Sequence, residues 1–434
     1  MEETKDLLRK LEPVLGKRAK GLWYLNALSP DPVSAHKNRE LIRFLADKKA
    51  DCDYREEIRL PPPPSDLLAG EYRLGEVIYP NTAFASFGLR EPEFIMHTLI
   101  TGMTGTGKTN LAFHLLRQLS LHQKPFLVFD WKGNYRALKQ LPEFQDMKII
   151  SVGAPNSEFK FNPLVPPPGV HPKHWIALLV DVIKHSFFVG HGVEYFLRKG
   201  IDQLYKTFGI YEGETSYPTF SDLEKTLRQE FVRGREMLWM SSVKRVLACL
   251  TFSGLLGGTL NSREPPELAN LLNQNVILEM DNLAAIEKTF FVESLLLWIY
   301  HFRRNQAKRE TFKHAIVIEE AHHVLSGKKE FTQGEESIME SVIRMIREFG
   351  EAVIAIDQEP SKLSNSILAN TNCKICFNLG HGKDIKAMSQ ALNLTDDEGR
   401  MIDKLKVGHA MIKLKSRFPE PVHAKFPLVP IVKN

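Results

Sequence analysis

Eight consecutive residues restrict this chain more than any other feature. Gly102-Met103-Thr104-Gly105-Thr106-Gly107-Lys108-Thr109 fits the pattern G-x-x-x-x-G-K-[ST] at every position. A candidate strand, Phe94–Ile100, runs into it, and Asn110 to Leu116 runs out of it as a helix. Glycines at 105 and 107 open backbone conformations closed to other residues, so consecutive N–H groups can converge on one anion. The following helix adds the unpaired donors and dipole of its N-terminus to the same point. Lys108 then reaches the β- and γ-phosphates, and the Thr109 hydroxyl coordinates Mg2+. We therefore expect ATP and Mg2+ at a site made by Gly102, Met103, Thr104, Gly105, Thr106, Gly107, Lys108, Thr109 and Asn110.

The text around the motif predicts an α/β protein. From Leu74 onward short apolar runs alternate with amphipathic helices, as in βα units with a parallel-rich sheet. Further candidate strands are Phe126–Phe129, Val276–Met280, Ala315–Ile318 and Ala352–Ile356, each nearly continuous in apolar residues, as strands buried on both faces must be. Ala315–Ile318 ends in two carboxylates. Glu319 is placed to hold Mg2+ through water, and Glu320 to polarise the attacking water. Ala352–Ile356 leads to Gln358, which at a strand's carboxyl end would face the γ-phosphate. Between these two strands Arg344 and Arg347 share a helix face, expected close to the nucleotide edge of the sheet. A cation there stabilises charge on a transferring phosphoryl group, in cis or across a subunit interface. His322 and His323 lack the H-E-x-x-H spacing of a zinc site.

Other regions carry less chemistry. Residues 1–65 read as a helical arm, with Leu7, Leu8, Leu11, Val14 and Leu15 and then Leu41, Ile42 and Leu45 at helical spacing, closed by the Pro61–Pro64 spacer. Residues 66–434 then form the main body. A helical insertion, about 166–273, is predicted from Trp175–His185, Val193–Phe208, Phe220–Phe231 and Val243–Phe252, with Thr219 or Ser221 capping the third. Cys373 and Cys376 fall in a run, Asn372–Leu379, that reads as a strand, so they suit a buried core better than a metal. Arg303, Arg304, Lys308, Arg309 and Lys313 make a basic stretch that reads as a solvated helix end.

Composition excludes several classes. A net charge of +5 over 434 residues, with a pI near 8.8, permits nucleic-acid binding but is diffuse where dedicated binders concentrate their charge. The 27 glycines and 25 prolines fall far below the roughly 25–30% that signals low complexity. The most apolar stretch, Phe290–Phe302, contains Glu293 and Ser294 and ends in Arg303-Arg304, short of the ~20 apolar residues of a membrane span. Four cysteines are no disulfide framework, and Met1–Asp6 has no apolar signal core. The expectation is a cytoplasmic protein.

Taken together, the motif set resembles the HerA/FtsK superfamily of ring-forming DNA-pumping ATPases, most of all its HerA branch. The resemblance rests on Gly102–Thr109, the strand end Phe129-Asp130-Trp131-Lys132-Gly133-Asn134-Tyr135, Phe161-Asn162-Pro163-Leu164, and Glu319-Glu320-Ala321-His322-His323. It extends to Arg347-Glu348-Phe349-Gly350, to Gln358-Glu359-Pro360-Ser361, and to the closing strands within Leu405–Val422. The resemblance implies a RecA-like P-loop NTPase core with an extra strand between the P-loop and acidic strands. It further implies a homo-oligomeric ring, a hexamer, that moves double-stranded DNA by ATP hydrolysis, with a nuclease or other effector as partner. By position Lys108, Thr109, Glu319, Glu320 and Gln358 inherit nucleotide roles and Arg347 that of an arginine finger or sensor. The family's usual β-barrel before the core is reduced here to Tyr72–Val77 and Ala83–Phe87, and Glu359 stands where an arginine is common. Competing expectations are a conjugation or secretion motor and a regulatory NTP-binding ring scaffold.

Overall fold

A computed structural model describes residues 22, 24, 25, 27–29, 31–56, 58, 60–79, 81–154, 157, 159–251, 255–263, 268–306, 309–326 and 337–431. The chain divides into two compact units, Met1–Leu60 with Tyr79–Thr82, and Pro61–Ile78 with Ala83–Asn434. In the first, α1 (Pro32–Glu56) carries the helical spacing of Leu41, Ile42 and Leu45. Its start is set by Asp31, whose Oδ1 accepts the N–H groups of Val33 and Ser34, each at 2.9 Å. Pro32 follows at the first helical position, where a missing N–H costs nothing. Leu7, Leu8, Leu11, Val14 and Leu15 lie outside the described residues.

The second unit is built on one sheet of eleven strands. These are β1 (Tyr72–Ile78), β2 (Ala83–Leu89), β3 (Thr98–Thr101), β4 (Phe126–Asp130), β5 (Lys148–Ser151), β6 (Val276–Glu279), β7 (His314–Glu319), β8 (Glu351–Asp357), β9 (Cys373–Cys376), β10 (His409–Leu414) and β11 (Phe418–Lys425). Their order is β2-β1-β11-β10-β9-β3-β8-β7-β4-β6-β5. From β9 to β5 every pairing is parallel. From β9 to β2 every pairing is antiparallel. The parallel strands β3, β4, β6, β7 and β8 are buried along their whole length, which explains their unbroken apolar runs. As the family resemblance implied, β8 lies between the P-loop strand β3 and the acidic strand β7, and the fold is RecA-like α/β.

Three details differ from the reading of the sequence. The strand entering the P-loop begins at Thr98, because Glu91–Phe94 forms one helical turn in which the Glu93 carboxylate accepts the Arg90 N–H at 2.7 Å. The fragments around Tyr72–Val77 and Ala83–Phe87 form no barrel of their own. They pair as the β1–β2 hairpin and extend the main sheet through β11. β5 escaped notice because it is a half-exposed edge strand with only two apolar residues.

Between β5 and β6 lie α3 (Pro172–Phe187), α4 (His191–Thr207), α5 (Phe220–Arg228) and α6 (Glu236–Thr251). Thr219, not Ser221, caps α5: Thr219 Oγ1 accepts the Asp222 N–H while Asp222 accepts the Thr219 N–H, a reciprocal box. The helix stops at Arg228 and does not reach Phe231. Beneath this layer α7 (Ala285–Arg304) is buried almost all round, and its Glu293 is held by His185 at 2.8 Å and Ser186 at 2.6 Å. No helix among the described residues is long and apolar enough to cross a membrane. Cys373 and Cys376 are free and buried, and burial pushes both thiols up to about 12.

Candidate nucleotide site

The carboxyl ends of β3, β8, β7 and β4 deliver every group of the site to one edge of the sheet. After β3 the chain passes through Gly102–Gly107 into α2 (Lys108–Leu121). Gly102 (φ 154°) and Gly107 (φ 121°) adopt conformations that a side chain would strain. At Gly102 an added Cβ would also lie 2.6 Å from the Phe377 Cβ, so close packing and backbone shape demand the same residue. Neighbouring strands fasten the loop. The Gly102 N–H donates to Asp357 O, the Met103 N–H to Asn378 O, and the Thr106 carbonyl accepts from the Gly408 N–H, at 2.8–3.2 Å. The Lys108 ammonium is buried and donates to the Gly102 and Met103 carbonyls at 2.5 and 2.8 Å. Burial lowers its pKa to about 8, partly offset by the charge of Glu320.

A hydrogen-bonded chain joins this loop to the acidic strand. Thr104 Oγ1 donates to Gln358 Oε1 at 2.6 Å, Gln358 Nε2 donates to Glu320 Oε1 at 2.7 Å, and Lys132 Nζ donates to the same oxygen at 2.5 Å. Glu320 itself sits in the left-handed region (φ 48°), a conformation that costs a non-glycine residue about 1–3 kcal/mol and that clusters at functional sites. Glu319 points inward. Burial first, then the charge of Asp130, pushes its carboxyl up to about 7 against the pull of Lys132. Among the described residues its Oε2 is buried with no hydrogen-bond partner, although the nearby Tyr135 hydroxyl favours the charged form. An orphaned carboxylate oxygen beside a phosphate loop fits a divalent cation, for which Thr109 in the first turn of α2 supplies a hydroxyl. Glu319 and Thr109 are therefore the residues that would hold Mg2+.

Two further residue pairs at this edge went unassigned from sequence. Asp130 accepts the N–H groups of Lys132, Gly133 and Tyr135 at 2.8–3.1 Å, folding the turn after β4 so that Lys132 meets Glu320. Asp357, ending β8, accepts the His322 N–H at 2.6 Å and lies 2.9 Å from His322 Nδ1. Burial works against charge on that imidazole, yet Asp357, Glu320 and Glu359 together raise its pKa. His323 stacks on Trp131 with ring centroids 5.1 Å apart. The signal for Asp130 and Asp357 was visible, since both are carboxylates at the end of an apolar strand; that Lys132 meets Glu320 was not, because Glu320 lies 188 positions away.

Other expectations are corrected. The Asn110 side chain does not turn to the loop: its Nδ2 donates to Pro427 O at 2.8 Å and its Oδ1 accepts the Val429 N–H at 2.9 Å, clamping the C-terminal segment. Arg344 and Arg347 are not near the nucleotide edge of their own chain. α8 (Ile338–Ile346) runs back along β8 and delivers Arg347 just before that strand begins, while the site lies where it ends. Seven residues of β8 separate the two, roughly 20 Å. Arg303 is no solvated helix end either; it is buried and paired with Glu351 at 2.5 Å.

The geometry can be compared with known proteins. Residues 72–178 match the family described as "Helicase HerA, central domain". The protein named "DNA double-strand break repair helicase HerA" is 24% identical over 361 residues in Saccharolobus solfataricus and 25% over 365 in Sulfolobus acidocaldarius, in both cases over 79% of this chain. The chain spans about two thirds of these relatives' length, 66% and 67%. Among solved structures, VirB4 of Thermoanaerobacter pseudethanolicus superposes with a TM-score of 0.62 at 17% identity, over 82% of this chain and 96% of its own, a likeness of fold. Family match, curated relatives and fold together support a HerA-like P-loop ATPase.

Proposed function

We propose that this chain hydrolyses ATP with Mg2+ as a homo-oligomeric ring, a hexamer, and that hydrolysis moves the ring along double-stranded DNA in the cytoplasm beside an effector such as a nuclease. In this reading residues 66–434 are the motor and residues 1–65 a helical arm. The observation that carries the proposal is the continuous chain Thr104–Gln358–Glu320–Lys132. It ties the phosphate loop to Glu320, the carboxylate assigned here as the base. Lys132 and Gln358 both hold Oε1 of Glu320, which leaves Oε2 to take the proton of the attacking water. Lys108 exchanges its two loop carbonyls for phosphate oxygens. Gln358, bonded on one side to the loop and on the other to the base, registers whether the phosphate is present. Glu319 and Thr109 would hold Mg2+, which would supply positive charge against that of the phosphates. The curated relatives named as DNA repair helicases support the choice of DNA.

Arg347, remote from its own chain's site, fits an arginine acting on the next subunit's phosphoryl group. The test is ATP turnover with and without duplex DNA, followed over protein concentration with light scattering. Duplex-stimulated turnover that rises per subunit as rings assemble is expected, and Arg347→Ala should lower it with nucleotide affinity kept. Constant turnover in monomers would overturn the ring. Absence of duplex stimulation would favour a regulatory scaffold, and stimulation by a protein substrate instead would favour a secretion-type motor.

A further inference from the structure

On the face of the sheet opposite α2, β9 and β10 carry an unusual pair. Lys374 and Lys413 stand directly across from one another in the antiparallel register, where like charges destabilise a sheet. The alternating side chains of these strands, Cys373 and Ile375 with Ile412 and Leu414, pack into the core on the other face. The two lysines therefore share the face covered by the short helix Asn365–Asn370 and by α9 (Gly382–Leu392). There they line a cavity of about 550 Å³ together with Lys383, Lys386, Lys415 and Gln390. That volume lies in the range of pockets that enclose compact ligands, roughly 300–1,000 Å³.

Charge in this cavity is one-sided. No aspartate or glutamate lines it. Lys374 is 4% exposed, and its ammonium, with three donors, gives one hydrogen bond, to Thr371 O at 2.5 Å. Burial, and then the charges of Lys413 and Lys415, lowers its pKa to about 8. Glu420 acts on Lys413 from β11, and Asp384 of α9 is engaged by the Ser361 N–H and His381. None of the five lysines forms an ion pair among the described residues. Nothing in the fold of this unit needs five ammonium groups around one concavity, and their mutual repulsion opposes it.

We propose that this cavity is a second anion site, separate from the P-loop, for a ligand bearing consecutive phosphate groups. A run of phosphates places several negative oxygens within reach of point-like ammonium groups on two strands and one helix, and it relieves the repulsion between Lys374 and Lys413. Free polyphosphate and the phosphodiester backbone of nucleic acid share this chemistry. The site stands whether or not the ATP reading holds, since it uses none of the same residues.

Calorimetric titration of inorganic tripolyphosphate into the full chain tests it, without magnesium and in the Lys108→Ala background so that the P-loop lysine is gone. Saturable binding is expected, weakened at least tenfold by Lys374→Met with Lys413→Met, and unchanged by Lys362→Gln outside the cavity. Melting temperature guards against misfolding: removing two opposed ammonium groups should leave it level or raise it. Should the sheet variants fail to fold, the exposed Lys386→Gln in the cavity wall should still weaken binding about threefold. A competing duplex assigns the source. Displacement of tripolyphosphate by a 30-base-pair DNA points to the nucleic-acid backbone, and lack of displacement to a free polyanion. Absence of saturable binding, or binding that survives the lysine substitutions unchanged, overturns the proposal.

Discussion

The two ends of the same strands handle buried charge in opposite ways. At the amino ends of β7 and β8, Glu351 is fully enclosed and answered from two sides, by Arg303 at 2.5 Å and His314 at 2.6 Å. Burial pushes its carboxyl up, but His314 and Arg303 outweigh burial and hold it below the usual carboxylate range. At the carboxyl ends of these strands, Glu319 has a buried oxygen with no partner and a raised pKa, and Glu320 sits in a strained backbone conformation. One edge pairs both oxygens of its buried carboxylate. The other leaves Glu319 under-satisfied, which is the condition for binding a cation.

The largest expected effect probes the satisfied edge. Arg303→Met leaves Glu351 buried with His314 alone and should cost about 3–5 kcal/mol in chemical denaturation. Turnover per folded molecule should stay near normal; a selective loss of turnover at full stability would erase the contrast between the edges. Next is Glu320→Gln, which keeps shape but removes the base. It should cut ATP turnover by on the order of 10²-fold or more, about 3 kcal/mol of barrier, with nucleotide still bound and stability unharmed.

The smallest effect concerns pH. Below about pH 4.5 Glu319 is protonated whether folded or unfolded and contributes nothing to pH dependence. Between there and about 7 the unfolded chain ionises while the folded one does not, so stability falls as pH rises through that window. In magnesium-free buffer at pH 8, Glu319→Gln should therefore be more stable than the wild type by about 2–3 kcal/mol, while losing activity. An equal melting temperature for the two proteins from pH 5 to 8 would show that Glu319 carries no such strain.

What was legible from sequence follows the range of each interaction. Gly102–Thr109, the strands ending in Glu319-Glu320 and near Gln358, and the helices between β5 and β6 rest on local pattern, and each was recognisable. The start of β3 was misplaced because a carboxylate closing one helical turn, Glu93 onto Arg90, overrides an apolar run. The arginines of α8 were placed at the wrong edge because helical spacing gives a face but not a direction, and α8 descends toward the start of β8. Asn110 follows the P-loop in sequence, yet Pro427 and Val429 from the far end of the chain claim its side chain. The contacts of Lys132 with Glu320 and of His322 with Asp357 exist only once the parallel strands are aligned.

The attachment of the β1–β2 hairpin has a consequence for the order in which the protein is made. β2 pairs only with β1, and β1 reaches the rest of the sheet through β11, at Glu76↔Lys425 and Val77↔Ala424. Arg417, in the turn before β11, adds an ion pair to Glu93 at 2.7 Å and a hydrogen bond to the Ala69 carbonyl at 2.6 Å. On a ribosome advancing at about 5–20 residues per second, the hairpin emerges tens of seconds before its partner strand. Throughout that interval Leu74, Val77, Phe87 and Leu89, all fully buried in the finished sheet, have no sheet to join. The hairpin is thus among the first segments of the unit to be synthesised yet joins the rest of the sheet only once β11 is made, and a nascent chain halted before Phe418 carries an unpaired β1 edge that the completed protein covers.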